Sequence, residues 1–243
     1  MIATCANSLS FLIFTNLYIK NKLINYIYKS MKIFKFENFA INENISLINH
    51  DGILLIVDVQ SNFKKYFPTD PNGFIKKIDK YCLDFPSDET GKGVYQIWDS
   101  NQGSKPTYKF KNEIDLIEKK YGVKKFYSKY KGGFKEWITH IFDKKTLEEF
   151  KSRNNVFKKG DAFRLKEQNE FLIYIGNNHQ WFYVNDELVE LFKKLRNKKV
   201  IICGGAEDEC LDDVYIALKS FNVNVIKNHQ YIYSAETGNY LKK

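Results

Sequence analysis

Arginine is nearly missing from this chain. Of its 38 basic residues only Arg153, Arg164 and Arg196 are arginine, and the rest are lysine. A formal charge of +9 would suit an anionic partner, but base readout and stacking favour arginine in defined patches. The lysines are instead spread along a chain rich in Asn, Ile, Phe and Tyr, the joint bias that AT-rich codons produce. They read as a solvated coat, and nucleic acid is set aside as a partner. Cysteine is sparse as well. Cys5, Cys82, Cys203 and Cys210 contain no C-x-x-C pair, which speaks against a zinc site or a disulfide framework and fits a reducing, cytoplasmic setting. The histidines, His50, His140, His179 and His229, are scattered without an H-E-x-x-H grouping. No histidine-based metal site is legible, and no cofactor is expected.

Long apolar runs are also missing. The N-terminal stretch "SLSFLIFTNLYI" (8–19) falls short of the roughly 20 residues a membrane span needs. No Lys or Arg precedes it, so the charged start of a secretory signal is absent. Met31 then opens "MKIFKFENFAINENISL", which reads as the beginning of a folded domain. For residues 1–30 three readings stand, in this order: an extension from a start assigned too far upstream, a weak membrane or targeting segment, or an extra helix. Residues 31–243 read as one domain, since no repeat, low-complexity linker or composition break divides them. With 44% apolar and 16% aromatic residues, the chain has the makings of a packed core.

"GILLIVDVQ" (52–60) is a continuous run of Ile, Leu and Val, the pattern of a strand buried on both faces of a parallel sheet. "PNGFIKKIDKYCLDF" (71–85) places Phe74, Ile75, Ile78, Tyr81 and Cys82 on one helical face. "GVYQIW" (93–98) is a second strand. The segment 111–151 reads as largely helical, interrupted by "KGG" at 131–133, with Trp137, Ile138, Ile141, Phe142 and Leu147 as a packing stripe. One or two strands with a turn at "GNNHQ" follow within 163–186. Asn185 or Asp186 caps the helix "ELVELFKKLRN". "KKVIICGG" (198–205) is a strand, "CLDDVYIALKSF" a helix, and "NVNVI" (222–226) the last clear strand. Alternating strands and helices give an α/β fold with a mostly parallel sheet and right-handed crossovers.

In such sheets ligands bind beyond the carboxyl ends of the strands. Asp58 and Gln60 lie at the end of the first strand, Asp99 at the end of the second, and the "GGAEDEC" turn follows "VIIC". An isolated Asp58 is more commonly a cap than a base. Cys203, inside "VIIC", reads as a buried hydrophobe. Cys210 stands at a strand-to-helix turn, where backbone N–H groups and the helix dipole lower a thiol pKa. Glu207, Asp208 and Glu209 would raise it if they faced the sulfur.

These features form a pattern. "LLIVDVQSNF" (54–63) resembles the strand that opens the isochorismatase-like cysteine hydrolases, and "VIICGGAEDECLDDVYIAL" (200–218) resembles their G-x-A-x-D-x-C signature. The resemblance covers roughly 50–236 and is specific at its two ends. It implies a Rossmann-like three-layer sandwich with a mostly parallel central sheet flanked by helices. It also implies a nucleophile at Cys210, an acid/base at Asp58 and a cis peptide at Gly205–Ala206 that aims backbone amides at an oxyanion. Gln60, Phe63 and Trp98 are the candidate substrate contacts. The family's lysine has no obvious counterpart. Lys166 is the candidate if "EFLIYIGNNHQWFYV" is an inserted hairpin. The nicotinamidase-type members carry Asp-x-His after the second strand, whereas this chain reads Asp99-Ser100-Asn101, which argues against a catalytic metal. The implied function is metal-independent hydrolysis of a small amide, imide or vinyl-ether-type substrate. The alternative is a catalytically inactive binding module of the same fold. Family members often form oligomers, but no interface is legible here.

Overall fold

The computed structural model describes residues 52–68, 70–85, 93–100, 114–120, 123–176 and 180–240, all within one compact unit, His50–Lys243. Residues 1–51, and with them the expected boundary at residue 31, lie outside the described residues, as do Asn101 and His179.

The first strand, β1 (Ile53–Val57), is apolar throughout because every position is buried. It is the centre of a five-stranded parallel sheet in the order β3-β2-β1-β7-β8. The other members are β2 (Val94–Asp99), β3 (Asp115–Lys119), β7 (Lys199–Cys203) and β8 (Asn224–Lys227). Chain order runs outward from β1 in both directions, so the crevice between β1 and β7 is the switch point at which crossovers change side.

Helix α1 (Pro71–Cys82) starts at a capping Asp70, whose carboxylate accepts from the Gly73 N–H, and buries Phe74, Ile78 and Cys82. Cys82 lies near Cys203, whose side chain alternates with Val200 and Ile202 of the opposite face. That opposite face carries α5 (Asp186–Leu195) and α6 (Cys210–Ser220), whose apolar stripes Leu188, Leu191, Phe192, Leu195 and Leu211, Val214, Leu218 join Leu55, Val57 and Ile202 in one core. Asn185, one of the two expected caps, accepts from the Leu188 N–H at 3.1 Å. The fold is α/β, a parallel sheet flanked by helices. Among the described residues no helix is long and apolar enough to cross a membrane.

Between β3 and α5 the chain builds a second layer of structure. Helices α2 (Val123–Tyr127), α3 (Gly133–Ile141) and α4 (Lys144–Ser152) precede an antiparallel meander of β4 (Ala162–Arg164), β5 (Phe171–Tyr174) and β6 (Trp181–Val184). Period-two alternation gives this small sheet two apolar faces. Ile173, Phe182 and Val184 join the main core, while Leu172 and Trp181 pack with Trp137, Ile138, Phe142 and Phe150. The expected packing stripe of α3 and α4 therefore has its partner. The expected helix over 111–151 begins only at Val123. "DLIEK" is a strand instead, paired to β2 with Lys119 beside Asp99. Its sequence hides this because, as an edge strand, β3 leaves Leu116 exposed and puts a charged residue in a buried position.

Candidate active site

The ends of three parallel strands bring Asp58, Lys119 and Cys210 together. Asp58 follows β1 and holds a left-handed backbone, φ 51°, with its N–H donating to Ile97 O at 2.9 Å. Asp tolerates this region better than most residues, but such backbones collect at functional sites. Its carboxylate is almost fully buried, and Oδ2 accepts from the Nζ of Lys119, itself fully buried. Oδ1 is buried with no hydrogen-bond partner. Burial pushes the Asp58 pKa up. Lys119, through its charge and its hydrogen bond, pulls it back, and Asp99 adds a smaller upward push.

Cys210 is the first residue of α6 and packs, half-buried, against the main core. Its thiol is pushed well above the ordinary range, first by burial around the sulfur and then by the Asp58 charge. Lys119 and the Ala206 N–H act in the opposite direction. The direction is opposite to the one a helix N-terminus alone would set. Glu207, Asp208 and Glu209 are not the cause. Glu207 is held at 2.5 Å by Lys227 of β8, which also grips Asp212 in the first turn of α6. Lys227 thus ties down the chain on both sides of Cys210 and neutralises Glu207, and Asp208 is exposed.

The turn from β7 to α6 is cut to fit the sulfur. Gly204 has φ +98°, and a Cβ there would meet Val57 O at 2.9 Å. At Gly205 a Cβ would lie 2.9 Å from Cys210 Sγ. Glycine at these two positions lets the turn pass close under β1 and leaves room for the thiol. Ala206 accepts from the Leu211 N–H at 3.1 Å and bridges in parallel to Tyr233. The expected cis peptide at Gly205–Ala206 is not present: every described peptide bond is trans.

The other expected residues divide. Lys166 is not at this cluster. It follows β4, its Nζ 3.5 Å from Glu167 and its N–H on Ile141 O. The β5–β6 hairpin is present, and the lysine beside Asp58 precedes it in the chain. Gln60 is fully buried and clamps the backbone of Asp99, accepting from its N–H at 2.8 Å and donating to its carbonyl at 3.2 Å. It welds the ends of β1 and β2 rather than presenting its amide to a ligand. Trp98 is buried on β2, and Phe63 is half-buried on the short 3-10 turn Ser61–Tyr66. Lys119 is the residue that reading the sequence missed. The one available signal was a lysine two residues after the apolar pair Leu116-Ile117 in "DLIEK", in a chain where lysine occurs everywhere.

A buried carboxylate, a buried ammonium and a thiol in contact can move a proton from sulfur to oxygen while the cation holds the resulting charge. No protein-family model matches this chain, and neither a curated protein nor a solved structure does.

Proposed function

We propose that the chain is a cysteine hydrolase of the isochorismatase-like kind, with Cys210 as nucleophile, Asp58 as acid/base and Lys119 as the cation between them. The convergence of these three side chains at the carboxyl ends of β7, β1 and β3 carries the reading. It supplies the lysine that the sequence resemblance lacked. The finer fold assignment, a Rossmann-like three-layer sandwich, and a cytoplasmic setting belong to the same proposal.

The substrate is a small molecule whose carbon is electrophilic as it stands, in an amide or an imide, or becomes so in a vinyl ether when the acid form of Asp58 protonates the terminal carbon. Water then adds to the oxocarbenium carbon and returns a proton to Asp58, and the hemiketal releases the alcohol. With an amide or imide, as Sγ attacks, its proton passes to the Asp58 carboxylate, an S–C bond forms, and the carbonyl π electron pair moves to oxygen. Collapse expels the leaving group, which takes the proton from Asp58. Water, deprotonated by Asp58, then releases the acyl group and restores the thiol. The raised pKa of Asp58 makes it a stronger base than a solvent-exposed carboxylate, and Lys119 stabilises the charges that develop beside it. No step calls on a metal.

One feature favours the second reading, an inactive binding module: burial and the Asp58 charge push the Cys210 thiol pKa up, away from the reactive thiolate. Hydrolysis of a panel holding one amide, one imide and one vinyl ether, followed by proton NMR, separates the two. Turnover of at least one class, lost roughly 10³-fold or more in Cys210→Ala where the substrate is an amide or imide, is the expected result. A folded wild-type chain that turns over none of the three overturns the hydrolase reading in favour of the binding module.

A further inference from the structure

The segment between β3 and α5 encloses an open-mouthed cavity of about 600 Å³, within the range of about 300–1,000 Å³ that small ligands occupy. None of its lining belongs to the Asp58–Lys119–Cys210 cluster. Its wall is aromatic. Trp181 of β6 is buried, with Phe157 edge-on at 5.0 Å, Phe150 at 5.6 Å and a near-parallel Phe134 at 5.9 Å. Set at 26° to 75° to the plane of Trp181, these rings line the cavity with aromatic faces and edges against which a planar group can pack.

The polar groups around this wall have a single character. Lys135 and Lys151 stand at the rim as the charged residues of the lining, and no carboxylate accompanies them. Neither side chain makes an ion pair or hydrogen bond among the described residues, in contrast to neighbouring Arg153, which reaches Glu149 and Asp161. Asn154, Asn155 and Gln180 complete the rim, also without side-chain partners among the described residues. Each of these three amides sits on a left-handed backbone, with φ 48°, 64° and 49°. The described residues contain only two other such non-glycine positions, Asp58 and Asn222. A left-handed glutamine is costly without compensation, and such backbones gather where ligands are held.

We infer that this cavity is a second binding site, for a planar aromatic anion whose ring stacks against the Trp181 cluster and whose carboxylate or phosphate meets Lys135 and Lys151. The inference is independent of the hydrolase reading, because it uses none of the same residues.

Isothermal titration with 2-naphthoate and phenyl phosphate tests it, with neutral 2-naphthalenemethanol as the uncharged probe. At least one anion binds with 1:1 saturation and quenches tryptophan fluorescence. Charge-assisted hydrogen bonds contribute enough that the neutral probe binds at least about tenfold more weakly. The Lys135→Gln/Lys151→Gln double variant, altered only at exposed positions, loses at least about tenfold in affinity for the anion. Cys210→Ala leaves binding unchanged, and the preferred anion distinguishes a carboxylate ligand from a phosphate. Absence of saturable binding by both anions overturns the inference. So does equal affinity for the neutral probe, an unaffected double variant, or loss of binding in Cys210→Ala.

Discussion

Replacing Lys119 with methionine destabilises the protein by about 3–5 kcal/mol, the usual cost of leaving one member of a buried ion pair without its partner. The methionine fills much of the same volume, so the loss is mainly electrostatic. Asp58 is then a buried carboxylate without its cation, with Asp99 nearby. It avoids this only by binding a proton, so the destabilisation is larger at pH 7 than at pH 5. Adding Asp58→Asn removes the stranded charge and recovers a large part of the loss. Urea denaturation of the two single variants and the double variant closes the cycle. Lys166→Met, at an exposed lysine beside Glu167, changes stability by less than about 0.5 kcal/mol. Equal effects at the two lysines would mean that Lys119 is not the buried partner of Asp58.

Alkaline pH weakens the fold steeply, and a large part of the effect comes from a pair of thiols between α1 and β7, beside the raised thiol of Cys210. Cys82 and Cys203 are fully buried. Burial raises the pKa of Cys82 to about 12 and that of Cys203 well above its ordinary value. In the unfolded chain both ionise near 8.5, while in the folded chain both keep their protons. The folded state therefore holds more protons above pH 8.5, and its stability falls as pH rises towards the folded pKa values. Below pH 8.5 both states are protonated and this contribution is flat. Two thiols at about 1.36 kcal/mol per pH unit each remove on the order of 4–5 kcal/mol between pH 8.5 and 10.5. Denaturation midpoints across that window measure it. Cys203→Ala removes about half of the slope that this pair contributes, while the Cys210 share remains, and the cavity it leaves lowers stability at every pH.

Much of this was legible in the sequence. "ILLIV" and "VIIC" are apolar without alternation because helices cover both faces of the sheet, so β1 and β7 declare themselves. The turn after β7 is legible because two glycines at a strand end, ahead of a cysteine that starts a helix, mark a close passage of the backbone. β3 was not legible. Five residues at a sheet edge carry two acids and a lysine, and hydrophobic periodicity cannot separate them from the charged helix that follows. Lys119 was lost with it, since burial, not residue type, distinguishes it from the lysines on the surface. The direction of the Cys210 shift was equally out of reach. A helix N-terminus lowers a thiol pKa, but here burial and the Asp58 charge outweigh it, and no local pattern reveals how deeply a sulfur is enclosed. Gln60 was legible as a polar strand-end residue, but not the closing of its amide on the backbone of Asp99, which depends on the register of β1 and β2.

The central claim is that Asp58, Lys119 and Cys210 form one coupled group. It is tested most directly by the rate at which iodoacetamide alkylates Cys210 between pH 6 and 11, read by mass spectrometry in wild type and in Asp58→Asn. Wild type should show an apparent thiol pKa above the ordinary value of about 8.5. Asp58→Asn should lower it, because the nearby negative charge is gone while Lys119 remains to stabilise the thiolate. An apparent pKa at or below the ordinary value in wild type, unmoved by Asp58→Asn, would contradict the account.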